Sequence, residues 1–361
     1  MKITIVGTGN AGSTVAADLS LRGHDVILLK TSNKLHNEHF QAIHKNGWIT
    51  IEENGNEMIA PIKTSTDYAT SIPDRDLIII YVQTNYHEQV IREICKYIQD
   101  DQTVLVEPGY LATCYFLKYC QKRIKIAEAE SSPVDCRIVA PGRVRVLFRN
   151  VINPVGVFPL NKKSCVIETL NRTGYPFECL ESVVEAALHN PNLIVHTIGA
   201  IFSVPRIEYV ANHGGTYSMY REVFSPHIWN LVESLDNEKM DVLEKMGFKR
   251  LPYVEACKHR NSTEDGSNAL AVFFEYANNS APDGPDVPDS RYIMEDVPQG
   301  LVLLESLGKI NQVPTPVCSG LIDIASAILL HDFRKEGRTV EHLGESVLRR
   351  ICNEGSCIVS K

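Results

Sequence analysis

The sequence has no apolar run that approaches the ~20 residues a membrane span requires. The longest runs, such as Leu77 to Val82, are far shorter, so no membrane partner is expected. Nor is there a CxxC pair. The ten cysteines are scattered from Cys95 to Cys357 with no secretory leader ahead of them, and they read as reduced thiols of a cytoplasmic protein. The tail Cys357-Ile-Val-Ser-Lys361 is one residue too long for a prenylation box. Basic residues never accumulate: 36 Lys and Arg are interspersed with 44 Asp and Glu, a net charge of -8. That pattern offers no surface to neutralise a series of phosphates, which sets nucleic acid aside as a partner. His, Cys and carboxylates are nowhere grouped at ligand spacing, so no metal is expected.

What is present is a chain of 361 residues, 44% of them hydrophobic, enough for two domains with a core each. The first half alternates short apolar runs with amphipathic stretches, the pattern of a parallel sheet flanked by helices. Strands are expected at Lys2 to Val6, Asp25 to Leu29, Leu77 to Val82, Thr103 to Val106 and Ile124 to Ala127, with helices at Ala11 to Leu21 and His87 to Ile98. Trp48 to Ile51 and Met58 to Ile62 read as a strand pair around Glu53-Asn54-Gly55-Asn56. Beyond about Phe177 apolar residues recur at helical spacing, in Leu180 to Leu188, Met219 to Met246, Leu270 to Tyr276, Gly300 to Leu307, Leu321 to Phe333 and Val340 to Ile351. Ser280 to Ser290, with Pro282, Pro285 and Pro288 between aspartates, must be a surface loop. The expected fold is α/β, an N-terminal Rossmann doubly wound sheet over 1–185 and a C-terminal all-α domain over 186–361.

Gly7-Thr-Gly9-Asn10-Ala11-Gly12 follows the first strand and opens the first helix. Gly7 permits the tight turn, Gly9 the approach of a pyrophosphate, and Gly12 the close packing of helix on strand. The phosphates then meet the unpaired N–H groups of the helix start. The second strand ends in Lys30-Thr31-Ser32-Asn33-Lys34, without the carboxylate that would accept bonds from a ribose 2′-hydroxyl. A cation and two hydroxyls suit a 2′-phosphate, so NADP is favoured over NAD; the alternative is that Lys30 only points to solvent. Loops at the carboxyl ends of later strands border the nicotinamide in such sheets, which selects Gln83 and Thr84, and Pro108 and Gly109.

A nicotinamide enzyme also needs a proton carrier, and at neutral pH a histidine held by a carboxylate serves. Among twelve histidines, His189-Asn-Pro-Asn192-Leu-Ile-Val-His196 stands out, because a helix starting near Pro191 puts Asn192 and His196 on one face. Arg291-Tyr-Ile-Met-Glu-Asp296-Val-Pro-Gln-Gly-Leu then joins a cation and a carboxylate just after the proline-rich loop.

With these blocks, with Ala127-Glu128 to Pro133 and Cys136-Arg137, and with Ser306-Leu-Gly-Lys309 to Val313-Pro-Thr-Pro316, the sequence resembles the octopine/nopaline (opine) dehydrogenase family over essentially its whole length. The resemblance implies a helical domain of the 6-phosphogluconate dehydrogenase C-terminal type. It also implies NAD(P)H-dependent condensation of an α-keto acid with the amino group of an amino acid, by a monomer or homodimer. His196 would protonate the carbonyl or carbinolamine oxygen and Asp296 would hold its other ring nitrogen. Arg291 would clamp a substrate carboxylate, Asn192 would orient the substrate, and Glu128 would contact the amine. Plainer roles stand beside these: His196 as a core residue, Asp296 as a helix cap, Arg291 paired with Asp289, Glu128 as a strand-end cap. Ala129 stands where the family pattern has threonine, and Tyr110 where it has a polar residue.

Two other functions remain open on the sequence. A ketopantoate or β-hydroxyacid reductase also joins a Rossmann to a helical domain but depends on an interdomain lysine, and no lysine lies between Lys163 and Lys239. A non-catalytic NAD(P)-binding regulator would need no acid-base pair.

Overall fold

The computed structural model describes residues 1–33, 35–262 and 266–354; Lys34 and the tail from Cys357 to Lys361, both read above, lie outside them. The chain divides into two compact units, Met1–Val183 and Val184–Lys361.

Among the described residues the first unit contains twelve strands: β1 Lys2–Val6, β2 Asp25–Leu29, β3 Trp48–Glu53, β4 Asn56–Pro61, β5 Lys63–Ser65, β6 Leu77–Ile80, β7 Thr103–Val106, β8 Lys125–Ala129, β9 Val134–Ala140, β10 Arg143–Arg149, β11 Asn153–Phe158 and β12 Phe177–Cys179. Eight of them form one sheet in the order β12-β11-β8-β7-β6-β1-β2-β5, parallel except that β11 runs against β8. β6 and β7 are buried along their whole length, which is why they are apolar rather than alternating.

A second sheet, β4-β3-β10-β9, was only half expected. The β3–β4 hairpin closes on Asn54 and Gly55, both at positive φ, as a two-residue turn requires. The β9–β10 hairpin had no counterpart in the sequence reading, and β10 pairs with β3 in parallel across some ninety residues, Arg143 opposite Thr50. The helix Asn10–Leu21 is consequently buried all round from Gly12 to Leu19, packed in one core with Ile3, Ile5, Ile49, Ile51, Val144 and Val146.

The second unit is helical. Its longest element, Asn192–His213, keeps Pro205 inside it. The helical stretch Val183–His213 is long and apolar enough to cross a membrane, and 67% of its most apolar part is buried within the protein. The single helix expected from Met219 to Met246 is two, Met219–Glu222 and Pro226–Lys245, because Pro226 starts the second one. Residues 281–290 are irregular, as their prolines require, and Gly284 seats on Tyr217 with its N–H 2.9 Å from the Tyr217 carbonyl. Cys352 is disulfide-bonded, against the expectation of reduced thiols throughout.

Asp18 holds the first unit's layers together. Its carboxylate accepts hydrogen bonds from Tyr175 Oη (2.5 Å), Arg149 Nη1 (2.8 Å) and Arg22 Nη2 (3.1 Å), and Arg149 also bonds Glu53 at the end of β3. Burial works to raise the Asp18 pKa, but hydrogen bonds from Arg149 and Tyr175 and the charges of Arg149 and Arg22 outweigh it, leaving the group below its ordinary 3.8. A depressed folded value means that the stabilisation is complete above 3.8 and is lost as pH falls through the lower folded value. Asp18→Asn is expected to cost about 1–3 kcal/mol in urea unfolding at pH 7 and to flatten the acid limb of the stability profile.

Candidate active site

At the glycine turn, β1 ends and Gly7 turns at φ +115°, donating its N–H to the Leu29 carbonyl at 2.9 Å. A Cβ on Gly7 would lie 2.2 Å from the Tyr81 carbonyl oxygen, and one on Gly12 would lie 2.1 Å from the Gly7 oxygen, so both positions admit only hydrogen. Gly9 precedes the helix Asn10–Leu21 without side-chain capping, and the first turn carries no acidic residue. Uncapped N–H groups with no competing carboxylate match a dinucleotide pyrophosphate. Ala11 lines the turn; Asn10 turns its side chain away to accept the Ile138 N–H at 2.8 Å, tying the turn to β9.

The end of β2 differs from both readings of Lys30. The residue is 5% exposed, its Nζ donates to the Leu35 carbonyl at 2.8 Å and lies 5.4 Å from the centre of the Phe40 ring, and burial lowers its pKa. It neither points to solvent nor presents its ammonium as a surface cation. Thr31 is half-buried and Ser32 exposed, so the hydroxyls are what this strand end presents. Of the two other loops, Gln83 and Pro108 are partly exposed, whereas Thr84 and Gly109 are buried.

Glu128 departs from its expected substrate contact. It is fully buried, and its two oxygens accept the N–H groups of Leu111 (2.8 Å) and Thr113 (2.7 Å). Tyr110 and Leu111 are both left-handed, at φ 49° and 64°, a conformation costly for side chains of this size. The carboxylate holds that strained turn, and Gly109 is glycine because a Cβ there would lie 2.0 Å from a Glu128 oxygen. Beside it, Tyr81 donates a hydrogen bond to Glu107, whose carboxyl burial pushes up to about 8. Glu107 therefore holds its proton more tightly than an ordinary carboxyl group, and it belongs to the loop that the sequence reading placed beside the nicotinamide.

The expected His196–Asp296 pair lies within the second unit. His196 stands one turn into the helix that begins at Asn192, and its Nδ1 is 2.8 Å from Asp296 Oδ2 across a hundred residues of chain. Asp296 falls between a single helical turn, Arg291–Met294, and a π-helical segment, Val297–Leu301, whose start it does not cap with its side chain. The carboxylate is 1% exposed and accepts only, so Nδ1 carries the shared hydrogen and Nε2 is left for chemistry. Tyr292 stacks face to face on the imidazole, centroids 3.8 Å apart and 6° from parallel. The tyrosine sat unremarked inside the Arg291 motif; its place next to the motif's cation was the only available signal. Arg291 pairs with Glu295, Nε to Oε2 3.2 Å, rather than with Asp289, and its side chain remains 45% exposed. Asn192 is partly exposed on the His196 face, its N–H bonded to Asn190 Oδ1 at 2.9 Å. His189 is different: burial, then the charges of Lys239 and Arg260, hold it neutral.

A phosphate-binding Rossmann turn followed by a helical unit with a carboxylate-held histidine defines a nicotinamide-dependent dehydrogenase. The comparisons narrow the class. Residues 179–329 match the model for the NAD/NADP octopine/nopaline dehydrogenase α-helical domain, and residues 3–107 match that for ketopantoate reductase PanE/ApbA. An opine dehydrogenase of Arthrobacter sp. (strain 1C) is 28% identical over 95% of both chains, and a vitopine synthase of Allorhizobium ampelinum is 25% identical over 94% of both. An octopine dehydrogenase solved with NADH and agmatine shares the fold at TM-score 0.75 and 16% identity, with 98% of each chain covered. The chain is thus similar to opine dehydrogenases over nearly its whole length, and its helical part matches their α-helical domain.

Two substitutions test this geometry. Glu128→Gln leaves one of the two backbone N–H groups without an acceptor and is expected to cost about 1–3 kcal/mol in chemical denaturation. Asp296→Asn preserves shape but frees the imidazole tautomer; the rate of nicotinamide oxidation should fall roughly 100- to 10 000-fold with nucleotide affinity unchanged in a fluorescence titration.

Proposed function

We propose that this protein condenses an α-keto acid with the amino group of an amino acid and reduces the product to a secondary amine, with NADPH favoured over NADH. The observation that carries the reading is the 2.8 Å bond between His196 and Asp296, which pairs an imidazole with a buried carboxylate as a proton carrier requires. Asp296 fixes the tautomer and stabilises the imidazolium; His196 Nε2 delivers a proton to the carbonyl oxygen as the amine adds, regains one from the ammonium nitrogen of the adduct, and delivers it to the carbinolamine oxygen so that water leaves. Tyr292 keeps the ring plane fixed during the transfer. Arg291 receives a substrate carboxylate through its exposed guanidinium, for which the planar fork is suited, and Asn192 orients the same substrate from one turn earlier on the helix. A bound reduced nicotinamide would supply the hydride that reduces the imine.

Gly7, Gly9 and Gly12 accommodate the pyrophosphate, with Asn10 and Ala11 forming the turn. Thr31 and Ser32 would hold a 2′-phosphate, and Lys30 acts beneath them by anchoring the loop through Leu35. Gln83 and Pro108 border the nicotinamide, with Thr84 and Gly109 shaping the loops that carry them. Glu128 positions the 109–113 turn and does not meet the amine.

The match of residues 3–107 to ketopantoate reductase supports a second reading, reduction of a keto acid alone. The first lysine after Lys163 is Lys239, which is 1% exposed and 2.5 Å from Asp236, a poor candidate for the base that reading needs. The test crosses pyruvate, 2-oxoglutarate and glyoxylate with amino acids and amines, following nicotinamide absorbance with each cofactor. Oxidation should require keto acid and amine together; full rate with a keto acid alone would move the protein to the reductase class. His196→Ala should abolish turnover and spare nucleotide binding.

A further inference from the structure

Gly9 differs from the other two glycines of the turn. A Cβ on Gly7 or Gly12 would enter backbone, whereas one on Gly9 would meet, among the described residues, only the ring of His36, with Nε2 at 3.6 Å and Cδ2 at 3.8 Å. Gly9 is the glycine that a pyrophosphate approaches, so an imidazole borders the face of the turn that a nucleotide must reach. His36 also belongs to the segment leaving β2, where sheets of this kind read the 2′ position of the adenosine ribose.

The backbone is tied down on both sides of that ring. Lys30 Nζ donates to the carbonyl of Leu35, the preceding residue, at 2.8 Å, and the His36 carbonyl accepts the Phe40 N–H at 3.0 Å. His36 itself is left-handed, at φ 55° and ψ 33°, and heads the helix Asn37–Asn46. The residue is exposed, and no described residue shares a hydrogen bond with its ring. Neither residues 7–12 nor residues 30–37 include a carboxylate; the next one is Glu38, exposed on the helix that His36 heads.

We propose that His36 is the residue that recognises a 2′-phosphate on the adenosine ribose, donating an imidazole N–H to a phosphate oxygen alongside the hydroxyls of Thr31 and Ser32. The inference rests on the NADPH preference proposed above and names the group behind it. Lys30 is not that group, because its ammonium is spent on the Leu35 carbonyl; it fixes the peptide that carries the imidazole. A ribose 2′-hydroxyl offers no charge to the ring, and the carboxylate that would accept its hydrogen is missing from this strand end. His36 therefore strengthens the binding of a phosphorylated ribose and adds nothing to that of a plain one.

The experiment titrates the full chain by calorimetry, without keto acid or amine, with NADPH and NADH and with 2′,5′-ADP and 5′-AMP, a pair that differs only in the 2′-phosphate. The variants are His36→Asn, whose side chain tolerates left-handed backbone, and His36→Arg, which keeps a phosphate donor. The wild type is expected to bind NADPH and 2′,5′-ADP tighter than their partners. His36→Asn should narrow both ratios by roughly tenfold, with NADH and 5′-AMP held within about twofold as evidence of an intact fold, and His36→Arg should restore the ratios. Ratios unchanged in His36→Asn would overturn the role of His36 and leave the cofactor preference standing. Equal weakening of all four ligands would also overturn it, making the ring a general wall of the site. A wild type that does not favour the phosphorylated ligands would overturn the cofactor preference together with this inference, and the condensation reaction, which none of these titrations involves, would be unaffected.

Discussion

The proposed chemistry rests on one buried hydrogen bond, Nδ1 of His196 to Oδ2 of Asp296, between residues a hundred positions apart. An imidazole left alone in an apolar helix would rotate and shift between tautomers. A carboxylate that is 1% exposed cannot exchange its partner for water, and so imposes one orientation and one tautomer. The neighbouring elements serve that bond. The helix Asn192–His213 gives the ring its height, the irregular turn between Arg291–Met294 and Val297–Leu301 brings the carboxylate to it, and Tyr292 covers its face.

The nucleotide turn obeys a different constraint, which is steric. Gly7 and Gly12 sit where any Cβ would enter a backbone oxygen, and the two left-handed residues Tyr110 and Leu111 are held by a carboxylate buried for that purpose. One part of the protein thus excludes side chains and another uses a buried charge to keep a costly backbone conformation in place. Each device acts on the backbone of a loop and not through a side chain offered to a ligand.

Much of this could be read in advance, and the exceptions have identifiable causes. The β1–helix–β2 unit was legible because its apolar runs are continuous and its glycines stand at spacings that only a phosphate turn requires. Asn192 and His196 shared a face as helical geometry demands. The β9–β10 hairpin escaped because its strands mix apolar residues with arginines and pair with β3 far away in the chain, so no local period marks them. Lys30 was misread because sequence cannot tell an ammonium that reaches solvent from one folded back onto a carbonyl five residues later. Glu128 was misread for the same reason: its acceptors' partners are backbone N–H groups, which leave no trace in composition. For the pairing of Arg291 the nearer carboxylate in sequence, Asp289, lost to the one a helical turn away.

The second sheet changes what the first helix can do. Because Asn10–Leu21 is enclosed on every side from Gly12 to Leu19 and is pinned through Asn10 to β9 and through Asp18 and Arg149 to β10, its amino end cannot fray or tilt independently of the rest of the layer. The ordering of that anion cradle is completed during folding, so a nucleotide arriving there meets donors already aimed, and its residence time is governed by contacts made on arrival instead of by rearrangement of the host.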